Sequence, residues 1–157
     1  RGWRLLSDEL TLIRVHDGQI IPLPRPISLK NASIDIIQRY EPSATLSRSV
    51  TDTMKGTVAH MKASPDSVAR AMIPARAAWV IFPKYEPDAK PALTPLLQSR
   101  AFMRVADNAF NYRTLGVKGF ETLAKVIDAS QCYEFSYSAL DDAIATFENL
   151  KSSVNLL

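Results

Sequence analysis

A mixed α/β fold with some α+β character is the class that the sequence predicts, and three patterns indicate it. The first half contains short apolar segments separated by turn residues, which is typical of strands. Ala77–Pro83 is the most apolar run, which predicts a strand at the centre of a sheet. The last third repeats apolar residues at helical spacing. Strands first and helices later favour this class.

Composition limits the protein classes further. The chain has 157 residues, 46% of them hydrophobic and 22% charged, which fits one domain or most of one with a sizeable core. Its 19 Lys and Arg are scattered, whereas a nucleic-acid binder would cluster them. The single cysteine, Cys132, excludes an internal disulfide and a multi-cysteine zinc site. No apolar run approaches the roughly 18 residues of a membrane span, so we expect a cytoplasmic protein.

The first elements are expected to be short strands. Trp3–Leu6 and Leu10–Val15 have strand-like apolar content, and Asp17-Gly18 is a hairpin turn signal before a returning strand at Gln19–Leu23. The following stretch should be extended and lie at a sheet edge, because it contains Pro22, Pro24 and Pro26.

Two helices are expected before the apolar strand. Asn31 is a plausible N-cap for a helix over Ala32–Tyr40, whose buried residues would be Ile34, Ile36 and Ile37. A second, short helix is expected near Ser64–Ala71, because Ser64-Pro65-Asp66 is typical of a helix start.

The last third alternates helices and strands. Pro91–Pro95 is expected to be an edge strand, and Leu97–Phe110 and Val117–Ala129 are expected to be amphipathic helices, with Phe110 and Phe120 on their apolar faces. Gln131–Tyr137 alternates like a strand, and Leu140–Leu150 completes the pattern as a helix.

Asp8 and Glu9 are the first candidate chemical groups. Gly2 is typical of a position just past a helix, and the strand after it would deliver both carboxylates to its C-terminal end. We therefore expect the chain to be the back portion of a larger domain. One carboxylate could hold Mg²⁺ or accept a proton, although consecutive strand residues would point to opposite faces. A solvated acidic pair at a strand end is the alternative from spacing alone.

Several cationic residues are candidate phosphate ligands. Lys30 stands at a strand-to-helix junction, where backbone N–H groups attract anions. Lys55-Gly56-Thr57 is similar to a phosphate loop but lacks the G-x-x-x-x-G-K-[ST] spacing. Arg100 lies near the start of a helix. The alternatives are a surface lysine beside an ordinary Asn cap for Lys30 and a solvated helix face for Arg100. His60, with no other His or Cys nearby, is more often a surface or packing residue than a metal ligand.

Three segments resemble the HPr kinase/phosphorylase family. Arg1–Glu9 is similar to a family pattern of Arg-Gly-His-Arg-Leu, a small apolar pair and Asp-Asp. The stretch from Ser99 to Gly116, with Asn111-Tyr112-Arg113, is similar to the family's late helix. Pro26–Asn31 occupies the place of a loop that reaches the active site.

Other segments resemble one branch, the HPr kinase-related kinase A group of bacteria with exosortase-type exopolysaccharide systems. They are Leu23–Asn31, Lys55–His60 and Val80–Tyr85, of which Lys55–His60 is the most specific to the branch. The resemblance implies a PEP carboxykinase-like P-loop kinase fold, of which residues 1–157 would form a single partial domain. It also implies transfer of the γ-phosphoryl of Mg-ATP to a Ser or Thr hydroxyl of an HPr-like or other protein.

The same resemblance suggests roles for individual residues. Asp8 matches an acidic position that acts in proton transfer, and Glu9 matches one that supports it or contacts the metal. The expected phosphate contacts are Lys30, Lys55 and Arg100. Residues expected to line the site are Ser28, Asn31, Thr57 and His60.

The sequence also departs from the family. Ser28 stands about where the founding family has an acidic metal ligand, and the loop for the reverse, phosphorylase, reaction is not recognisable. The glycine-rich phosphate loop is not in the sequence, so this chain alone should bind ATP poorly and be nearly inactive. A non-catalytic nucleotide-sensing or partner-binding module is the alternative function. The founding family forms hexamers, which makes a homo-oligomer an option.

Overall fold

The computed structural model describes residues 2–154, with side chains up to residue 152. Arg1, the first residue of the segment that carries the resemblance, lies outside this range. The described residues form six helices and three small sheets, so the expectation of a mixed α/β fold is confirmed. Two compact units are present: one holds the residues up to Arg14 and Gln19–Ala75, the other holds Val15–Gly18 and the residues from Arg76 onward.

The first unit begins with an irregular segment and a small hairpin. The expected strand at Trp3–Leu6 is wrong: this segment has no regular structure, and the Leu5 N–H donates to Ser67 Oγ at 2.9 Å. Strands β1 (Leu12–Ile13) and β2 (Ile20–Ile21) pair antiparallel, and both are shorter than predicted.

A three-stranded antiparallel sheet is the centre of the first unit. It contains β3 (Ile27–Lys30), β4 (Val50–Thr53) and β5 (Gly56–Met61) in the order β3-β5-β4. Helix α1 (Ala32–Tyr40), which has the predicted bounds, covers one face. The apolar cluster between them consists of Leu29, Ile34 and Ala59 with the partly buried Ile27, Ile37, Leu46 and Met61.

The two helices of this unit differ in how well the sequence predicted them. Ile36 is 43% exposed, so its expected burial is wrong, because the buried stripe of α1 runs through Ile34 and Ile37. Helix α2 (Pro65–Ala69) confirms the expected start, since the Ser64 Oγ accepts the N–H of Ser67 at 3.2 Å.

The second unit is built on a mixed sheet. Strands β6 (Trp79–Tyr85), β7 (Ala92–Pro95) and β8 (Gln131–Tyr137) have the order β6-β8-β7, with β6 parallel and β7 antiparallel to β8. The predicted central position of the apolar strand is therefore wrong. Pro83 lacks an N–H group and suits an edge strand, whereas β8 contains no proline and pairs with a strand on each side.

Helices α3 (Gln98–Asn108), α4 (Tyr112–Leu115), α5 (Val117–Asp128) and α6 (Leu140–Val154) complete the second unit. Its core cluster is Ala101, Leu123, Ile127 and Cys132.

Two aromatic side chains of this unit are more exposed than their helical spacing predicts. Phe110 is 91% exposed because α3 ends at Asn108, before this residue. Phe120 is 53% exposed, although its ring lies 5.2 Å from that of Phe102. Among residues 2–154, no helix has both the length and the apolar content to span a membrane.

Candidate functional site

A charged cleft of about 480 Å³ lies within the first unit. It brings together five residues that the sequence singled out, which are Asp8, Glu9, Ser28, Lys55 and His60. It also contains two polar residues that the sequence analysis missed, Ser7 and Arg25. Arg25 was missed because it stands between two prolines in a segment without helical or strand periodicity.

The sheet explains why two of these residues share the cleft. Ser28 of β3 is directly opposite His60 of β5 in the antiparallel register. Neighbouring strand residues alternate between faces, so Leu29 and Ala59 point into the apolar cluster under α1 while Ser28 and His60 point to the other face. One face of the sheet is thus the core, and the opposite face is the wall of the cleft.

Asp8 is tied to the edge of this sheet. Its Oδ2 accepts the N–H of Ser28 at 2.9 Å, and the N–H of Lys30 donates to Ser33 Oγ at 2.8 Å. These two donors are the outward ones of β3, which is an edge strand, so side chains satisfy the groups that would otherwise be open to pairing. The Asp8 carboxylate is held in place while its Oδ1 has no hydrogen bond to any described residue.

The predicted opposite orientation of Asp8 and Glu9 is wrong. Residues 8 and 9 form a bend instead of a strand, so the alternation of a strand does not apply to them. Both carboxylates line the same cleft as a result.

The nitrogen-bearing side chains of the cleft are exposed. Arg25, Lys55 and His60 are all exposed, and within the described residues their side chains form no hydrogen bond or ion pair. The two carboxylates therefore do not neutralise them through direct pairing. A cleft of this kind offers separate anionic and cationic contacts to one ligand.

Asn31 has a different contact from the one predicted. It precedes α1 as expected, but its side chain makes no capping hydrogen bond to the helix. Instead its Oδ1 accepts the N–H of Thr57 at 3.0 Å, and its own N–H donates to the Thr57 carbonyl at 2.9 Å. Its backbone has φ 50° and ψ −127°, a conformation that costs a non-glycine residue on the order of 1–3 kcal/mol.

Lys30, Asn31 and Thr57 are therefore neighbours at one end of the sheet. Lys30 is exposed and pairs in register with Val58, which lines the cleft. Asn31 and Thr57 hold the end of the strand pair together and are not among the residues that line the cleft.

Arg100 belongs to the second unit. It lies in the first turn of α3 and lines another cleft, of about 510 Å³, together with Ser99 and Arg104. Arg104 donates to Glu134 Oε1 at 2.7 Å and has its guanidinium carbon 3.9 Å from the centre of the Phe82 ring.

The two carboxylates of the cleft match part of the ligand set of a magnesium ion. Among residues 2–154, no three His, Cys, Asp or Glu side chains are grouped so that they could hold a metal ion. Mg²⁺ commonly binds through one or two carboxylates together with substrate phosphates and water. Asp8 and Glu9 fit that partial set, and Ser28 adds a neutral hydroxyl where an acid would add a charge.

Cys132 has no role in either cleft. It is 5% exposed within β8, and burial raises the pKa of its thiol. The thiolate is the nucleophilic form, so this environment lowers the reactivity of the residue.

No protein-family model, curated protein or solved structure matches this chain.

Proposed function

We propose that the cleft of the first unit binds the phosphates of Mg-ATP and that the complete gene product is a protein serine/threonine kinase of the HPr kinase type. The observation that supports this most is the composition of the cleft. Two carboxylates, an arginine, a lysine, a histidine and two serines come from separate parts of the first unit and line one concave surface. An HPr-like or other protein hydroxyl would be the acceptor, and the cytoplasm the location.

The residues divide by charge into two tasks. Glu9 would hold Mg²⁺, which would offset the charge of the phosphates when bound, and Asp8 beside it would be kept for proton transfer. Arg25, Lys55 and His60 would contact phosphate oxygens, and charge-assisted hydrogen bonds of this kind are short and strong. The cleft then positions the phosphates and neutralises them, which is where most of the rate comes from in phosphoryl transfer.

Asp8 has a geometry that suits proton transfer. Its Oδ2 accepts the Ser28 N–H, which fixes the position of the carboxylate. Its Oδ1 has no hydrogen-bond partner among the described residues and is therefore open to a substrate. An acceptor hydroxyl within reach of Oδ1 would give its proton to that oxygen.

A non-catalytic nucleotide-binding module is the second candidate. The contact between Asp8 and the Ser28 N–H favours it, because that bond also serves as a purely structural cap of an edge strand. The same cleft would then bind the nucleotide without transferring its phosphoryl group.

Asp8→Asn in the complete gene product separates the two candidates. Asparagine keeps an oxygen for the Ser28 N–H but cannot take a proton, so the fold is retained. A kinase should lose about 100-fold or more in phosphoryl transfer to protein, with Mg-ATP affinity changed much less. The matched control is Asp107→Asn, an exposed position on α3.

Three outcomes decide between the candidates. Transfer at the unchanged rate in Asp8→Asn removes Asp8 from the mechanism. Wild-type protein that binds Mg-ATP without any transfer identifies the non-catalytic module. Absence of Mg²⁺-dependent binding contradicts both.

A further inference from the structure

The turn between β4 and β5 carries Lys55 to the cleft, and it is braced from two sides. Within the turn, Thr53 Oγ1 donates to the Gly56 carbonyl at 2.6 Å and accepts the N–H of Lys55 at 3.1 Å. At its base, Asn31 makes the two hydrogen bonds to Thr57 described above. Lys55 therefore lies two residues before Thr57, which makes two hydrogen bonds with Asn31.

The Asn31 side chain replaces a missing backbone contact. The regular pairing of β3 with β5 ends at Lys30 and Val58. At the next position the chain turns into α1, and the Asn31 carbonyl accepts the N–H of Ile34 at 3.1 Å. The Thr57 N–H across the sheet donates to the Asn31 side-chain oxygen and not to this carbonyl, so the side chain extends the strand pair by one step.

Gly56 leaves room for this contact. A Cβ at Gly56 would lie 2.3 Å from Asn31 Oδ1, and the glycine has φ +80°, a conformation that side chains disfavour. Asn31 and Gly56 therefore fit together as a pair, and both have a positive φ, of 50° and 80°.

We propose that Asn31 is a positioning residue for Lys55: its side-chain amide fixes the β4–β5 turn and holds the lysine at the rim of the cleft. The inference rests on the proposed function for what Lys55 contacts, namely a phosphate oxygen. Asn31 itself touches no ligand, because it acts through Thr57 and the turn.

The test compares Asn31→Ala, Asn31→Asp and Asn31→Gly. Aspartate keeps an oxygen for the Thr57 N–H, whereas alanine and glycine lose it, and glycine also removes the backbone strain. Amide hydrogen exchange at Thr57 and ¹⁵N order parameters at Lys55 report on the turn without any ligand. Loss of the contact should speed Thr57 exchange at least tenfold and lower the Lys55 order parameter in Asn31→Ala and Asn31→Gly but not in Asn31→Asp. The control is Asn111→Ala, since Asn111 also precedes a helix without capping it.

Binding supplies the second measurement, with magnesium pyrophosphate as the probe. Asn31→Ala should weaken the protein's affinity for magnesium pyrophosphate by about threefold to tenfold when Lys55 is present. In the Lys55→Ala background the same substitution should leave that affinity unchanged. The control for charge is Lys62→Ala, an exposed lysine outside the cleft.

The outcomes are separable. Unchanged exchange and order parameters in Asn31→Ala overturn the inference. An equal loss of affinity in the Lys55→Ala background also overturns it, because Asn31 would then act on the whole cleft. If wild-type protein does not bind the probe, the proposed function fails, and the ligand-free exchange and order parameters still decide the role of Asn31.

Discussion

Gly56→Ala is the change whose cost follows most directly from the geometry. A left-handed φ of +80° costs an L-residue roughly 1–2 kcal/mol. The added Cβ would lie 2.3 Å from Asn31 Oδ1, and the asparagine side chain must then rotate away and give up the Thr57 N–H. That loss adds about 1 kcal/mol, so the total should be about 2–3 kcal/mol in the free energy of unfolding.

Two comparisons isolate the clash from the strain. Gly116→Ala introduces backbone strain without a clash, since Gly116 has φ +55° and no atom within 4 Å of the added Cβ, and it should cost about 1–3 kcal/mol. In the Asn31→Ala background the clash is absent, so the additional cost of Gly56→Ala should fall by about 1 kcal/mol. Urea unfolding followed through Trp3 in a Trp79→Phe background measures the first unit, which holds Gly56, and unfolding followed through Trp79 in a Trp3→Phe background measures the second unit, which holds Gly116. Equal costs of Gly56→Ala in both backgrounds would refute this reasoning.

Three further predictions concern the second unit. Ile127→Ala, at a residue 2% exposed, should lower the free energy of unfolding by about 2–5 kcal/mol in denaturant titrations, whereas Met72→Ala, 91% exposed in the first unit, should change it by less than about 0.5 kcal/mol. Burial raises the pKa of the Cys132 thiol, so iodoacetamide should alkylate the folded protein more slowly than the urea-unfolded one at pH 8, and the folded rate should start to rise only at higher pH; equal rates would contradict this. Arg104→Lys should cost no more than about 1 kcal/mol, because its pair with Glu134 is solvent-exposed, and a double-mutant cycle with Glu134→Gln measures that pair.

Local patterns predicted the elements that depend on nearby residues. Asn31 marked the start of α1, the alternation of Gln131–Tyr137 gave the bounds of β8, and Ser64-Pro65 marked the start of α2. These features follow from periodicity and from the first turn of a helix, which a single segment contains.

The failures concern features that depend on distant partners. Trp3–Leu6 has strand-like residues but bonds to Ser67 and to the backbone of Leu23 in place of a strand partner. The order of strands in the second unit depends on which neighbours pair, and hydrophobicity alone favoured the wrong centre. Asn31 was read as a helix cap because the residue at position 57 that it contacts is 26 positions away.

The candidate site shows the same division. Residue chemistry singled out Asp8, Glu9, Lys55 and His60, but only the register of β3 with β5 and the bend at residues 8 and 9 place them on one surface. Arg25 carries no pattern that would have indicated it, because its position in the cleft depends on the path of the chain between two prolines.

A titration of ¹⁵N-labelled protein with ATP, with and without Mg²⁺, tests the central claim most directly. We predict Mg²⁺-dependent shifts of the backbone amides of Asp8, Glu9, Ser28, Lys55 and His60, reduced in Lys55→Ala and retained in Lys62→Ala. Binding should be weak in this chain, so the titration must extend to high ligand concentration. Two results would contradict the assignment of this cleft as a Mg-ATP phosphate site. One is a saturating shift of amides elsewhere in the protein while these five do not move, and the other is no shift of any amide at any ligand concentration.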